Sequence, residues 1–224
     1  MNNVEKNAMK TAIDLIVLSV RTAPKSGGID DIVSYVVNDK EKKAIVKAMI
    51  AVGDASRRAE KNKEIGEAKR TSWVSDARVV AQSQGMVLIG VRGQKTFNFN
   101  CAMCGFESCA AFRKRVTENQ KTNPEILGPF CVLKIWDIGI AIASAAKTAS
   151  MLNVDNRIMY RIGVAVLKTP LLKKRFIKGD FSQHIKPILG LPLSASGKNI
   201  YFDRLDKLQA AATLTAYYQE RKKA

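Results

Sequence analysis

The chain has 224 residues, of which 46% are hydrophobic and 25% are charged. This composition is ordinary for a globular protein, and the length suits one domain of generous size that needs no metal merely to fold. The formal charge of +17 suggests anionic partners, but the longest basic run, Lys173–Arg175, has only three residues. No nucleic-acid-binding signature accompanies it, so we expect basic faces that meet an acidic partner or an anionic cofactor, and no nucleic acid.

No apolar run approaches the roughly 20 residues that a membrane-spanning helix needs. The longest, Ile138–Ala146, has nine residues, and the apolar stretch Ile13–Val20 is too short for a secretion signal. We therefore expect a cytoplasmic protein, in which thiols stay reduced and disulfides are disfavoured.

The first half of the chain is predicted to be mainly helical. Apolar residues at helical spacing predict a helix over Val4–Arg21, and the Pro- and Gly-containing loop TAPKSGGIDD follows it. A second helix is expected over Lys40–Val52, and a charged, exposed helix over Asp54–Ser72.

The second half alternates strands and helices. Continuous apolar runs predict two buried strands, Gly85–Arg92 and Pro187–Leu193. A helix is expected to begin at Cys109, and small residues on several sides of the helix Ile135–Leu152 predict that it crosses the centre of the fold. Two further helices are predicted over Asn156–Leu167 and Asp203–Lys222.

All the cysteines of the chain belong to one group: Cys101, Cys104, Cys109 and Cys131. The first three form a C-x2-C-x4-C run, and the fourth comes 22 positions later. Four thiolates, three close together and one returning from a later element, are how a chain commonly surrounds an iron–sulfur cluster. Gly105 can adopt backbone angles that let the loop wrap closely around such a ligand.

Two other interpretations of the cysteines stay open. A structural zinc ion with four Cys ligands uses similar C-x2-4-C spacing, although zinc ribbons usually carry two C-x2-C pairs and this chain has one. A redox pair in the C-x2-C segment is also possible, but it leaves Cys109 and Cys131 unexplained.

The segment CAMCGFESC resembles the 4Fe–4S module of electron-transfer subunits and corrinoid iron–sulfur proteins. Stretches over nearly the whole chain resemble a prokaryotic family of uncharacterised proteins containing a ferredoxin domain; these are residues 20–32, 101–109, 137–163 and 188–204. The resemblance implies one 4Fe–4S cluster on the four cysteines and a redox partner protein.

The order of an apolar helix, an arginine, an APKS loop, a central Ala- and Gly-rich helix and the strand ILGLPLS is similar to the FMN-dependent nitroreductase fold. This second resemblance implies a homodimer built on the central helix and a possible FMN cofactor. It also implies flavin-phosphate contacts from Arg21, Lys25, Ser26, Lys198 and Arg204.

Few other residues indicate chemistry. His184, the only histidine, is expected to be a surface or loop residue because no partner for a catalytic role is visible. Trp136, Phe97 and Phe99 are expected to be packing groups, and Phe97, Phe99 and Phe106 are expected to shield the cysteine motif.

These observations predict a single α+β domain over residues 1–224 with a nitroreductase-like core: a central buried helix and a small, mostly antiparallel sheet flanked by helices. A cluster-binding segment, 97–131, is inserted into it. The expected function is that of a 4Fe–4S electron-transfer protein that passes electrons to a flavin or a partner, and the flavin resemblance leaves a flavin-dependent oxidoreductase open. The alternative is a non-enzymatic binding protein with a structural zinc and a basic surface for nucleic acid or an acidic protein.

Overall fold

A computed structural model describes residues 2–122, 128–202 and 205–223 of the protein. Within these ranges there are eight α-helices and four strands. The helices are α1 (Asn3–Thr22), α2 (Asp39–Ala59), α3 (Lys63–Gln82), α4 (Cys109–Thr122), α5 (Val132–Met151), α6 (Tyr160–Lys168), α7 (Pro170–Phe176) and α8 (Leu205–Lys223). The strands are β1 (Ile32–Val36), β2 (Gly85–Val91), β3 (Asp155–Asn156) and β4 (Ile188–Ser194).

The strands form one antiparallel sheet in the order β1-β2-β4-β3, with helices on both faces. The central strand β2 is buried along its whole length. Successive side chains of a strand point to opposite faces, so Val87 and Ile89 pack with α1 and α5, while Met86 and Leu88 pack with α2, α3 and α6. Burial on both faces explains the uninterrupted apolar sequence, and the predicted α+β class is confirmed.

Helix α5 crosses the fold as predicted. Ile138, Ala141 and Ala145 are buried against the sheet and α1. Its opposite face is exposed and carries two large apolar side chains, Trp136 and Ile140. The prediction that Trp136 packs inside the chain is therefore wrong for this structure, because Trp136 lies on the outer side of the helix.

The exposed helix predicted over Asp54–Ser72 is wrong. Helix α2 ends at Ala59, and the side chain of Asn62 caps α3 by accepting a hydrogen bond from the N–H of Ile65 (3.1 Å). Helix α3 is then drawn into the core, because the guanidinium of Arg161 on α6 donates to the hydroxyl of Ser72 (2.7 Å) and to the carboxylate of Asp76 (2.8 Å).

The predicted site lies where the chain leaves β2 and returns to α5. After Val91 the chain forms a long loop, then α4, and reaches Cys131 immediately before α5. The N–H of Cys131 donates to the carbonyl of Gly93 (2.8 Å), so the two ends of this excursion meet. Phe112, Val116 and Cys131 form a small cluster of buried residues separate from the two main clusters on either face of the sheet.

The contact between α6 and β4 gives a test of the fold. A Cβ atom added at Gly163 would lie 1.7 Å from the carbonyl oxygen of Ile188. We expect Gly163→Ala to lower the free energy of unfolding by about 3 kcal/mol, because the strand backbone must move away. Gly139→Ala, in the middle of α5 with no atom within 4 Å of the added Cβ, should be neutral or stabilising by up to about 1 kcal/mol. Urea denaturation of both variants measures the difference, and equal effects would contradict the tight α6–β4 contact.

Candidate metal centre

The four cysteines come together around one pocket, with about 330 Å³ of empty volume. Cys101 and Cys104 lie in the loop after β2, Cys109 is the first residue of α4, and Cys131 immediately precedes α5. None of the four is in a disulfide. Thus the structure brings all the predicted cluster ligands to a common space, from three separate parts of the chain.

The backbone of the cysteine loop turns tightly between its ligands. Ala102 and Gly105 both have positive φ angles, 55° and 81°, and the N–H of Gly105 donates to the carbonyl of Ala102 (2.9 Å). Glycine adopts such angles without a steric cost, whereas alanine does so only where the surrounding structure holds it there. The turn places Cys101 and Cys104 on the same side of the loop.

Two side chains fix the loop to the start of α4. The amide oxygen of Asn100 accepts a hydrogen bond from the N–H of Cys109 (2.9 Å). The hydroxyl of Ser108 accepts one from the N–H of Ala111 (3.1 Å), in the manner of a helix N-cap. Asn100 thereby ties the residue before Cys101 to Cys109.

Cys131 is the most enclosed of the four ligands, and Cys101 is exposed. Burial raises the pKa of the Cys131 thiol, against the opposing effect of the nearby backbone N–H groups of Lys134 and Leu133. Those N–H groups belong to the first turn of α5, where the helix dipole favours negative charge. These N–H groups lower the pKa of the thiol, which means that they stabilise the thiolate form of Cys131.

Aromatic side chains form the inner wall of the pocket. Phe106 and Phe112 meet edge to face with their centroids 5.6 Å apart, and both border the cysteines. Phe97 packs against this wall and stacks on Phe99 (5.3 Å). Phe99 itself is 60% exposed, so its predicted packing role is wrong, while Phe97 and Phe106 shield the motif as expected.

Beside this wall lies a buried ion pair that sequence reasoning missed. The ammonium of Lys134 is 2.7 Å from the carboxylate of Asp31 and lies over the ring of Phe97, 3.6 Å from its centroid. The side chains of Lys134 and Asp31 are 1% and 4% exposed. The sequence signal was a lone lysine in the otherwise apolar start of a buried helix.

Two further positively charged side chains, Lys95 and Arg92, lie close to the carboxylate of Asp31. Its carboxylate accepts a hydrogen bond from Lys95 (3.0 Å) in the cysteine loop and lies 3.7 Å from Arg92. Burial alone raises the pKa of Asp31, but hydrogen bonds and charges from Lys134 and Lys95 outweigh burial and hold the pKa below its usual value. The carboxylate is therefore ionised at neutral pH and joins β1, the cysteine loop and α5.

Three of the residues predicted to contact a flavin phosphate lie together at the end of α1. Arg21 forms an ion pair with Asp30, and the ammonium of Lys25 donates to main-chain carbonyls at the end of α1. The N–H and the hydroxyl of Ser26 both donate to Asp137 on α5, each at 2.8 Å. All three thus have partners within the chain.

Lys198 lies apart from those three residues. Ala195, three residues before it, borders a surface pocket shared with Glu5 and Ala8 near the start of α1. Arg21 is thirteen residues beyond Ala8 on the same helix, about 20 Å further along at 1.5 Å per residue. Within one chain the predicted flavin residues therefore do not form a single cluster, and Arg204 falls outside the described residues.

The loop at the end of α1 is nevertheless adjacent to the cysteine pocket. Gly27, with φ 60°, lies against the stacked rings: a Cβ atom there would be 3.8 Å from Phe97 and 3.9 Å from Phe99. Phe97 therefore lies next to both this loop and the small buried cluster that includes Cys131.

His184 is not the surface residue that was expected. It is 9% exposed, and its Nε2 lies 3.2 Å from the carbonyl oxygen of Gly179. Burial and the nearby charge of Lys186 lower the pKa of His184. It is buried because the chain after Gly179 folds back on α7 to enter β4, with the N–H of Ile185 donating to the carbonyl of Phe176 (2.8 Å).

Replacing Asp31 tests the buried ion pair. Asp31→Asn leaves the ammonium of Lys134 buried without a carboxylate, so we expect the free energy of unfolding to fall by about 3 kcal/mol. Asp30→Asn, which removes the neighbouring and more exposed partner of Arg21, should cost about 1 kcal/mol or less. Urea denaturation measures both, and equal losses would contradict a special role for the buried pair.

The pH dependence of the stability difference between wild type and Asp31→Asn gives an independent check of the buried ion pair. A carboxylate whose pKa is lower in the folded state contributes stability above the unfolded value, about 3.9, and loses it as pH falls through the folded value. The stability difference between wild type and Asp31→Asn should therefore be largest at neutral pH and shrink below about pH 4. A difference independent of pH would mean that the carboxylate charge is not its source.

Comparison with known proteins gives a family. Residues 127–204 match the family model described as uncharacterised proteins containing a ferredoxin domain, a range that includes Cys131 and begins after the other three cysteines. An uncharacterised protein of Archaeoglobus fulgidus is 37% identical over 203 residues, which cover 91% of this chain and 95% of the relative.

Solved structures that are similar to this chain include nitroreductases. They include a nitroreductase with bound FMN from Desulfitobacterium hafniense (TM-score 0.48, 13% identity, 84% of this chain and 78% of the other). They also include NfrA2 of B. megaterium (0.45, 17%, 84% of this chain), of which the present chain spans 58%.

Among the described residues, no helix has the length and apolar character required to cross a lipid bilayer. The matched relative spans nearly the whole chain, from the loop at the end of α1 to β4, and the pocket of four cysteines lies between those elements. The chain belongs to the family of uncharacterised proteins containing a ferredoxin domain.

Proposed function

We propose that the protein is an electron-transfer protein that holds one 4Fe–4S cluster on Cys101, Cys104, Cys109 and Cys131. The observation that carries this proposal is the convergence of every cysteine in the chain on one pocket. Four thiolates are the usual ligand set of such a cluster. Membership of a ferredoxin-domain family supports the same redox role.

The spacing of the ligands favours a cluster over a zinc ion. A zinc ion binds four thiolates at about 2.3 Å, which requires sulfurs about 3.8 Å from one another. Among the described residues, no three His, Cys, Asp or Glu side chains are arranged to hold one metal ion. Thiolates around a 4Fe–4S cluster each bind a different iron atom, so their sulfurs lie farther apart than around a single zinc ion.

The surroundings of the pocket suit an anionic group. Cys109 and Cys131 lie at the starts of α4 and α5, so the positive ends of two helix dipoles face the pocket. Phe106 and Phe112 exclude water from the inner side, and such apolar walls control the potential of a metal centre. When bound, the cluster supplies reversible one-electron chemistry.

The proposal includes FMN near the end of α1, at Arg21, Lys25 and Ser26. Of these three residues, Arg21 offers a charge that a phosphate can reach, because its side chain is 61% exposed. The side chain of Lys25 is buried and bonds to carbonyls at the end of α1. The adjacent loop lies against Phe97, which also packs against the buried cluster of Phe112, Val116 and Cys131. A flavin there would exchange single electrons with the cluster and electron pairs with a substrate, as a reductase requires.

The proposal also includes a homodimer. Trp136 and Ile140 on α5, and Leu15 and Leu18 on the neighbouring α1, are large apolar side chains left exposed by one chain. The two helices are in direct contact, since the hydroxyl of Ser144 donates to the carbonyl of Ser19 (3.2 Å). Contiguous exposed apolar surface of this kind is typical of protein–protein interfaces.

Anaerobic purification followed by iron, sulfide, zinc and flavin analysis tests the cofactors. We expect about four iron and four sulfide per chain, and loss of most of both in Cys131→Ser because a ligand is removed. Met103→Ser, an exposed side chain in the same loop that is no ligand, should keep both. Zinc at one per chain without iron would overturn the proposal, and absence of flavin would remove its FMN part. Full iron content in Cys131→Ser would contradict the fourth ligand.

Sedimentation equilibrium tests the homodimer. We expect a dimer at micromolar concentration and at least a tenfold higher dissociation constant in Ile140→Glu, because the substitution buries a charge in the interface. Leu171→Glu, at an equally exposed leucine on α7, should leave the dissociation constant unchanged. A monomeric wild type, or equal effects of both substitutions, would contradict an interface on α5.

A further inference from the structure

The cysteine pocket reaches the surface at Cys101, and exposed apolar side chains flank this residue in the chain. Cys101 is exposed, while Phe99 and Met103, two residues to either side, are 60% and 47% exposed. A surface methionine and an aromatic ring side by side are enriched in the centres of protein–protein interfaces. Because Cys101 lies between them, a molecule that covers both side chains also covers the accessible ligand.

Positive charge lies close to these residues. The guanidinium of Arg113 donates to the side chains of Thr96 (2.9 Å) and Asn98, so this turn of α4 is held against the residue that precedes Phe99. Lys114 follows on the exposed side of α4. The segment 92–122 is strongly basic, with Arg92, Lys95, Arg113, Lys114, Arg115 and Lys121 against Glu107 and Glu118.

We propose that Phe99, Cys101, Met103, Arg113 and Lys114, here named the cluster-loop surface, dock a small acidic electron-carrier protein. This inference rests on the proposed function, since it requires a cluster behind Cys101. Apolar contacts at Phe99 and Met103 bring the partner to Cys101, and the basic residues nearby attract a negatively charged surface. In the reaction the carrier is oxidised by one electron and the cluster is reduced by that electron, with no bond or proton transferred.

The size and composition of the surface favour a protein carrier over nucleic acid. Electron-transfer encounters use small interfaces, for which a few apolar residues with a charged rim suffice. Nucleic acid binding depends on many phosphate contacts, and its affinity falls steeply with salt.

Anoxic stopped-flow kinetics test the proposal with the loaded protein. The oxidised cluster is mixed with a reduced, acidic, single-cluster iron–sulfur carrier protein, and bleaching of the protein's own cluster is followed at several salt concentrations. We expect the second-order rate constant to fall as salt rises, because attraction between opposite charges is screened. At low salt, Lys114→Glu should lower it roughly fivefold, an electrostatic effect of about 1 kcal/mol.

Matched variants separate docking from other effects. Lys47→Glu changes the total charge equally, at an exposed lysine on α2, and should leave the rate constant within about twofold of wild type. Met103→Ser should lower the rate at all salt concentrations while keeping iron and sulfide content. A reduced basic carrier of similar potential should react more slowly than the acidic one, with a rate that rises with salt.

The outcomes distinguish this inference from the proposed function. If the purified protein contains no cluster that dithionite reduces, both the proposed function and the docking surface are overturned. A cluster that dithionite reduces, with equal rates for both carriers and equal effects of Lys114→Glu and Lys47→Glu, would overturn the docking surface and leave the cluster in place. Binding of single-stranded nucleic acid that is lost in Lys114→Glu, together with no carrier preference, would assign the surface to nucleic acid instead.

Discussion

The buried ion pair between Lys134 and Asp31 is the constraint on which the arrangement of the site depends. It joins the first turn of α5 to the residue before β1, and Lys95 brings the cysteine loop to the same carboxylate. Charges this far from water are stable only when paired, so the three elements must meet at this point. Cys131 lies one turn before Lys134, so the position of the buried ligand follows from the pair.

Helix α5 connects this ion pair to the core, to the cysteine pocket and to the loop at the end of α1. Its inner face fills the core beside β2, its first turn positions Cys131 and Lys134, and Asp137 in its second turn holds Ser26. The same helix exposes Trp136 and Ile140 on its outer side. Helix α5 therefore contacts the cysteine pocket, the loop at the end of α1 and the surface proposed for the homodimer. A movement of α5 would displace all three together.

The sequence could predict those features of the fold and of the site that have a signal in neighbouring residues. The run GMVLIGV has no polar residue and indicates a strand buried on both faces, and the grouping of all cysteines indicates one site. Burial of Asp31 and His184 has no such local signal, because each is enclosed by residues distant in the chain, and the only local signal for Lys134 is its place as a lone lysine in an apolar helix start. The end of α2 at Ala59 was missed because most of the segment has high helix propensity; its local signal was Asn62, whose side chain caps α3.

The pocket is asymmetric, and the asymmetry bears on the direction of electron flow. On one side Cys131 is buried behind Phe106 and Phe112, beneath two helix starts. On the other side Cys101 is exposed between Phe99 and Met103. In the proposed function a carrier can approach only the open side, where the distance to a bound cluster is short. The remaining route from the pocket passes Phe97 to Gly27 and the end of α1. In the proposed function, Phe97 would lie on the path between a one-electron centre and a flavin within one chain.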